Sequence, residues 1–213
     1  MGNILKMRNT YRSELIVLLS LVLSTFTVKA GLLEQLFYDG VFDVDGNTTT
    51  DVADLLAFPD FPDFPADFLP LEEGLSTPRD QGDDFGSLIR GYLQAPKTGS
   101  YTFYTASDDA SIFSLSTDHT PANLQLIAEE TGCCTSLFTG ARLEERSGTV
   151  ELVKGDIYYF EAIYKEGAGG DWMDVGWEHP DGVQEIVPRG SVFPGLRTGP
   201  PIFEIEPFDV FTD

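Results

Sequence analysis

From Ser87 to Glu178 the chain breaks into short runs rich in Tyr, Phe, Val, Ile and Thr, divided by Gly and Pro, and no long segment with a helical apolar period follows Gly86. That pattern confines the fold to antiparallel β structure, because short runs between turns offer alternating faces to bury rather than a helical stripe. The expected strands are Ser87 to Gln94, Ser100 to Ser107, Ser111 to Ser116, Leu124 to Ala128, Thr149 to Val153, Ile157 to Lys165 and, as the last core strand, Trp172 to Glu178. Ala95 to Gly99 is a turn, and Lys154-Gly155-Asp156 closes a hairpin into Ile157. An antiparallel sandwich or barrel follows.

The region before Gly86 reads differently, as loops with few strands. Leu36-Phe37-Tyr38 is expected as a short strand and Val52 to Leu56 as a helical turn. Three Phe-Pro steps, at Phe58, Phe61 and Phe64, forbid helix and central strand, so 58–65 is expected to be extended with its phenylalanines packed on the outside of a sheet.

The ends carry their own signals. Lys6, Arg8 and Arg12 precede an apolar run, Leu15 to Leu23, too short to span a bilayer as a helix, and Val28-Lys29-Ala30 ends the segment with an A-x-A-like site. Residues 1–30 are therefore expected to be a cleaved secretory signal peptide, with an uncleaved N-terminal anchor as the alternative. Residues 31–195 are expected to form one domain, and 196–213 a C-terminal linker or truncated tail. The expected location is secreted, extracellular or at the cell surface, without membrane insertion after signal cleavage.

Charge narrows the partners. The whole chain has a net charge of −22, and removing the four basic residues and one acid of the first 30 deepens it to −25. Such a surface repels nucleic acid and anionic membranes, both of which require clustered Lys and Arg. It suits calcium, or simply solubility.

Cysteine is used sparingly. The two residues, Cys133 and Cys134, are adjacent and cannot staple distant segments. Neighbouring Cα atoms lie closer than the usual disulfide range, so free thiols are the default expectation. If a ring forms, it is a flat apolar surface able to serve as a ligand platform within the loop Glu129 to Gly140.

Enzyme signatures are lacking. His119 and His179 stand without H-E-x-x-H spacing, there is no G-x-S-x-G elbow, and no carboxylate pair is singled out for glycoside hydrolysis. No catalytic residue is assigned. Asn47-Thr48-Thr49 fits a glycosylation sequon.

The stretch Gly91 to Ala110 is the most informative, since it delivers two adjacent acids, Asp108 and Asp109, to a strand end. By itself this is also what an ordinary polar strand-to-loop turn looks like. With Leu115-Ser116-Thr117-Asp118, Pro121-Ala122-Asn123, Tyr158 to Ala162, Lys165 to Asp171 and Val175-Gly176-Trp177, it resembles the protective-antigen-like (PA14) domain family of bacterial toxins, glycosidases and fungal flocculin and epithelial adhesins, over roughly Phe37 to Pro194. The resemblance implies a jelly-roll type β-sandwich. In its adhesin members it also implies a calcium ion held by two consecutive aspartates joined by a cis peptide, which maps onto Asp108 and Asp109. In an extended strand, neighbouring carboxylates would point apart, whereas a cis bond brings them together. The adhesins complete the shell from a second loop with an amide side chain and backbone carbonyls. The matching segment here, Lys165 to Trp172, lacks that asparagine and offers Asp171 as side-chain ligand and Gly169 and Gly170 as carbonyl donors. Trp172 either stacks on a bound sugar or fills core near Trp177, which reads as core. Trp172, Cys133 and Cys134 are the expected ligand-contacting residues. The expected function is calcium-dependent binding of glycans or polysaccharide, as an adhesin or a targeting module of a larger enzyme. A metal-free structural or protein-interaction sandwich is the alternative.

Overall fold

The computed structural model describes residues 32–139 and 142–195, so the expected signal peptide and the C-terminal tail lie outside the described residues. Eleven strands run β1 (Leu33–Tyr38), β2 (Asp67–Leu71), β3 (Gly86–Gln94), β4 (Gly99–Asp108), β5 (Ala110–Ser116), β6 (Leu124–Glu130), β7 (Val150–Leu152), β8 (Ile157–Lys165), β9 (Trp172–Glu178), β10 (Gln184–Ile186) and β11 (Val192–Pro194), with one short helix, α1 (Val52–Leu56). They build an antiparallel sandwich. One sheet has the order β2-β1-β3-β8-β5-β6, with β11 also on β3, and the other β10-β9-β4-β7.

Period-2 burial explains the two layers. In β8, Phe160, Ala162 and Tyr164 face the second sheet, where Phe103, Met173, Val175 and Trp177 meet them in the main core. The aromatic side chains interlock: Phe113 lies 5.5 Å from Phe103 and 6.1 Å from Phe160, and Trp177 lies 5.5 Å from Tyr101. Burial of each such ring contributes about 1.5–3 kcal/mol of stabilisation. The opposite face of the larger sheet carries a second cluster, in which Leu36, Tyr38, Leu88 and Ile163 are covered by Val52 and Leu55 of α1. Asp51 starts that helix by accepting a hydrogen bond from the Ala53 amide at 2.8 Å.

Three expectations change. The Lys154–Asp156 turn forms, with the Asp156 amide on the Val153 carbonyl, but it closes no hairpin, because β7 pairs with β4 and β8 with β3 and β5. A turn signal shows that the chain reverses; which sheet receives the next strand depends on which face needs covering. Ala95 to Gly99 is the expected turn, and it too carries the chain from one sheet to the other. Residues 58–64 are consecutive turns rather than extended, since Phe61 N and Phe64 N reach back to Phe58 O and Asp60 O. Phe58 and Phe61 do pack on the outer face, and Phe64 is exposed. Trp172–Glu178 is not the final strand, for β10 and β11 follow. β2, at the sheet edge, was masked by Pro70, a residue an edge strand tolerates.

Candidate functional site

The chain leaves β4 at Asp108 and enters β5 at Ala110, and the Asp108–Asp109 peptide bond between them is cis. Hydroxyls hold both carbonyls of the pair: Tyr164 donates to Asp108 O, and Ser107 Oγ donates to Asp109 O at 2.5 Å. The two side chains come together with that of Glu166, one oxygen from each of the three carboxylates lying within 4.8 Å of the others. Asp109 Oδ2 accepts the Gly167 amide at 3.0 Å. Glu166 Oε2 lies 3.0 Å from the Tyr164 hydroxyl, whereas its Oε1 is buried and has no hydrogen-bond partner among the described residues.

Glu166 was not singled out by the sequence reading, although a signal existed. Phe160, Ala162 and Tyr164 alternate on the inner face of β8, and the next residue in that register is 166. A carboxylate continuing an inward-facing apolar row is a functional candidate because burial is costly for a charge without compensation.

The electrostatics agree with the geometry. Burial, reinforced by the charges of Asp109, Asp108 and Asp171, pushes the Glu166 carboxyl up to about 7 against the Tyr164 hydrogen bond. Burial and the neighbouring Asp109 and Asp171 raise Asp108 as well. The buried Lys165 ammonium donates to the Glu166 carbonyl, and desolvation lowers its pKa although Asp84, Glu166, Asp109 and Asp54 oppose this. The oxygens thus form a negative pocket that a cation would relieve. Hard oxygen donors with one buried, unpartnered atom fit calcium or magnesium rather than a thiophilic metal. Bound there, such an ion would supply a Lewis-acidic centre with positions left for ligand oxygens; Asp108, Asp109 and Glu166 would hold it.

The remaining expected site residues fall around this group. Asp171 is buried and braces the loop 80–84, its Oδ2 accepting the Gly82 amide at 2.9 Å while Oδ1 has no partner among the described residues; it is not one of the three clustered acids. Gly169, at φ +122°, donates its amide to Asp83 Oδ1 at 3.1 Å, a conformation an L side chain rarely adopts. Gly170 lies against Asp108, where an added Cβ would be 3.3 Å from Oδ2. Trp172 is the ladder partner of Asp108, and the Arg79 guanidinium lies 4.4 Å above its ring. Trp177 is core, as expected.

Cys133 and Cys134 are joined by a disulfide, which corrects the expectation of free thiols. The loop's local shape permits it: Cys134 takes φ +70° and donates its amide to Ser107 O at 2.8 Å, while Cys133 bridges to Asp108. Both sulfurs lie within 4.8 Å of an Asp108 carboxylate oxygen. Among the described residues, the two groups of three potential metal-ligating side chains both contain Asp108. His119 sits with Asp118 and Tyr158 on a cleft of 410 Å³ at the far end of β5, away from these acids.

The chain also matches the profile of the PA14 domain across residues 72–191. It belongs to the PA14 domain family. A mouse protein, N-acetyl-beta-glucosaminyl-glycoprotein 4-beta-N-acetylgalactosaminyltransferase 1, is 32% identical over 99 residues, which is 44% of this chain and 10% of the transferase. The chain thus spans a tenth of that relative, and about half of two anti-sigma factor domain-containing proteins that share its fold. The PA14 fold is shared with the PA14 sugar-binding domain from an RTX adhesin (TM-score 0.55, 17% identity, 78% of this chain and 99% of that one). It is shared too with the epithelial adhesin 6 A domain of Candida glabrata, solved in complex with Galb1-3GlcNAc (TM-score 0.55, 14% identity, 82% and 91%).

Proposed function

We propose that this PA14 domain is an extracellular, calcium-dependent carbohydrate-binding module, with no catalytic step of its own. The observation that carries the reading is the convergence of the adjacent Asp108 and Asp109 with the buried Glu166, whose Oε1 lacks a partner among the described residues. Calcium takes about six to eight oxygens in flexible geometry, so three carboxylates leave positions that adjacent sugar hydroxyls can fill. Two structures of the same fold, described as a sugar-binding domain and as an adhesin domain bound to a disaccharide, support the ligand class. The strongly acidic chain disfavours nucleic acid as a partner.

An extracellular setting is supported by the N-terminal signal-like segment and by the Cys133–Cys134 disulfide, which persists in oxidising compartments. No helix among the described residues is long and apolar enough to cross a membrane. Similarity to a tenth of a glycan-modifying transferase is consistent with a targeting role beside a catalytic domain as well as with adhesion.

Calorimetric titration of the purified chain with calcium, followed by a glycan array with and without EGTA, tests the reading. Saturable calcium binding and EGTA-sensitive glycan binding are expected, both lost in the Asp108→Asn, Asp109→Asn double variant. Glycan binding that survives EGTA or that variant refutes calcium dependence, and a folded, calcium-loaded protein that binds no arrayed glycan leaves the protein-interaction alternative.

A further inference from the structure

We infer that the Cys133–Cys134 ring is the apolar platform of the glycan site, packing against the unsubstituted C–H face of a sugar ring seated beside Asp108. This rests on the calcium and carbohydrate reading above.

Three residues meet side by side where β4 ends. Cys133 pairs with Asp108 through an isolated antiparallel bridge on one edge, and Trp172 pairs with it on the other. Partners opposite one another in an antiparallel ladder project to the same face, so the carboxylate stands between a disulfide and an indole. A sugar held through neighbouring hydroxyls sets its ring beside the ion, and the C–H face then needs an apolar surface within van der Waals reach.

The two flanking groups are not equally available. The Trp172 ring is engaged by Arg79, which is itself held by Asp174 at 2.8 Å, and the residue is only partly exposed. Cys133 and Cys134 are exposed, and their sulfurs lie within 4.8 Å of the Asp108 carboxylate. Calcium takes oxygen rather than sulfur, so this juxtaposition is not a second metal site. What it offers is a compact, polarizable apolar surface next to the ion. It is also fixed to the strand that carries the acid, since the Cys134 amide donates to Ser107 O and Cys133 bridges to Asp108. Phe138 and Leu137, further along the same loop, rest on Gly176 of β9 and hold the loop from its other side. The platform and the cation site are thus registered by one stretch of β4.

The decisive experiment uses the full chain loaded with calcium on a glycan array that includes Galb1-3GlcNAc, with the strongest soluble binder taken to calorimetry. Binding is measured for the native protein, after reduction with a phosphine, after reoxidation, and for the Cys133→Ser, Cys134→Ser double variant, with calcium affinity determined in parallel. Reduction and the double variant are expected to weaken glycan binding by at least about tenfold, leave calcium affinity unchanged, and in the reduced case recover on reoxidation. Saturation-transfer NMR should give its strongest signals from C–H protons on one face of a single pyranose. Glycan affinity within about twofold of native after reduction, or a saturation pattern spread evenly over the ring, overturns the platform. Absence of glycan binding by the oxidised, calcium-loaded protein instead refutes the proposed function on which it rests.

Discussion

Replacing Gly176 with Ala should loosen the loop that carries the disulfide while leaving the acid cluster intact. Gly176 sits in the middle of β9, opposite Tyr104 of β4, and its missing side chain is the seat of Phe138 and Leu137. A Cβ there would lie 2.6 Å from Phe138 Cζ, 2.7 Å from Phe138 Cε1 and 2.9 Å from Leu137 Cδ2, against an ordinary contact of 3.4–4 Å. Since β9 is fixed on both edges, by β4 and β10, the loop must give by several tenths of an ångström. Phe138 would then lose its edge-to-face packing on Tyr104, whose centroid is 5.2 Å away, a pair worth about 0.5–1.5 kcal/mol. Overpacking of a fixed site costs about 1–3 kcal/mol, and the partly exposed Phe138 can relax toward solvent, so a net loss of roughly 1–2 kcal/mol is expected. For a domain of this size that lowers Tm by about 2–4 °C per kcal/mol. Hydrogen exchange should rise at residues 132–138 and stay unchanged in 160–166. Calcium affinity should hold, and glycan affinity should fall. Unchanged exchange in the loop, or a loss spread evenly over the core strands, would show that Phe138 is not anchored by Gly176.

Trp177→Ala should cost about 3–5 kcal/mol by chemical denaturation, because the ring is buried among Tyr101, Phe103 and His179; a loss under 1 kcal/mol would contradict that packing. Arg142→Ala leaves the buried Glu130 and Glu145 facing each other without the cation that bridges them, so Tm should drop more at pH 8 than at pH 5, because burial holds the Glu130 carboxyl above its usual range and favours proton uptake as pH falls. An equal drop at both pH values would argue for lost packing instead. Asp118 accepts hydrogen bonds from Thr120 and Asn123, which hold its carboxyl below 3.8, so it favours the folded state above that value and the contribution fades as pH falls through the depressed folded pKa. Its NMR titration should show a midpoint below 3.8, and one at or above 3.8 is incompatible with those bonds.

Local patterns in the chain were strong enough to locate most elements. Alternation marked β3, β4, β5, β8 and β9 within a residue or two, and Val52 to Leu56 was helical as expected. What local patterns omit is the destination of each strand. The Lys154–Asp156 turn looks the same whether it folds a hairpin or crosses between sheets, and three-residue strands such as β10 and β11 form only because a longer neighbour already exposes an edge. The same limit applied to the site. Asp108 and Asp109 were visible as a pair, whereas Glu166 becomes a site residue only once β8 lies beside β5, in a register that pairs Lys165 with Ala110. The disulfide, too, depended on a left-handed residue at Cys134 that composition does not reveal.

The boundary of the family match and the boundary of the folding unit are different things in this molecule. The match begins at residue 72, yet β1 lies inside the larger sheet, hydrogen-bonded to β3 on one side and β2 on the other. A fragment trimmed to 72–191 would strip β3 of that neighbour from Gly86 to Ile89 and remove α1 from the outer cluster. It would also delete Thr49 and Thr50, which pack against Gly167 beside Asp109. Expression of the domain should therefore start no later than Leu32, since a shorter piece would present raw sheet edge to its own copies and aggregate before it could meet a ligand.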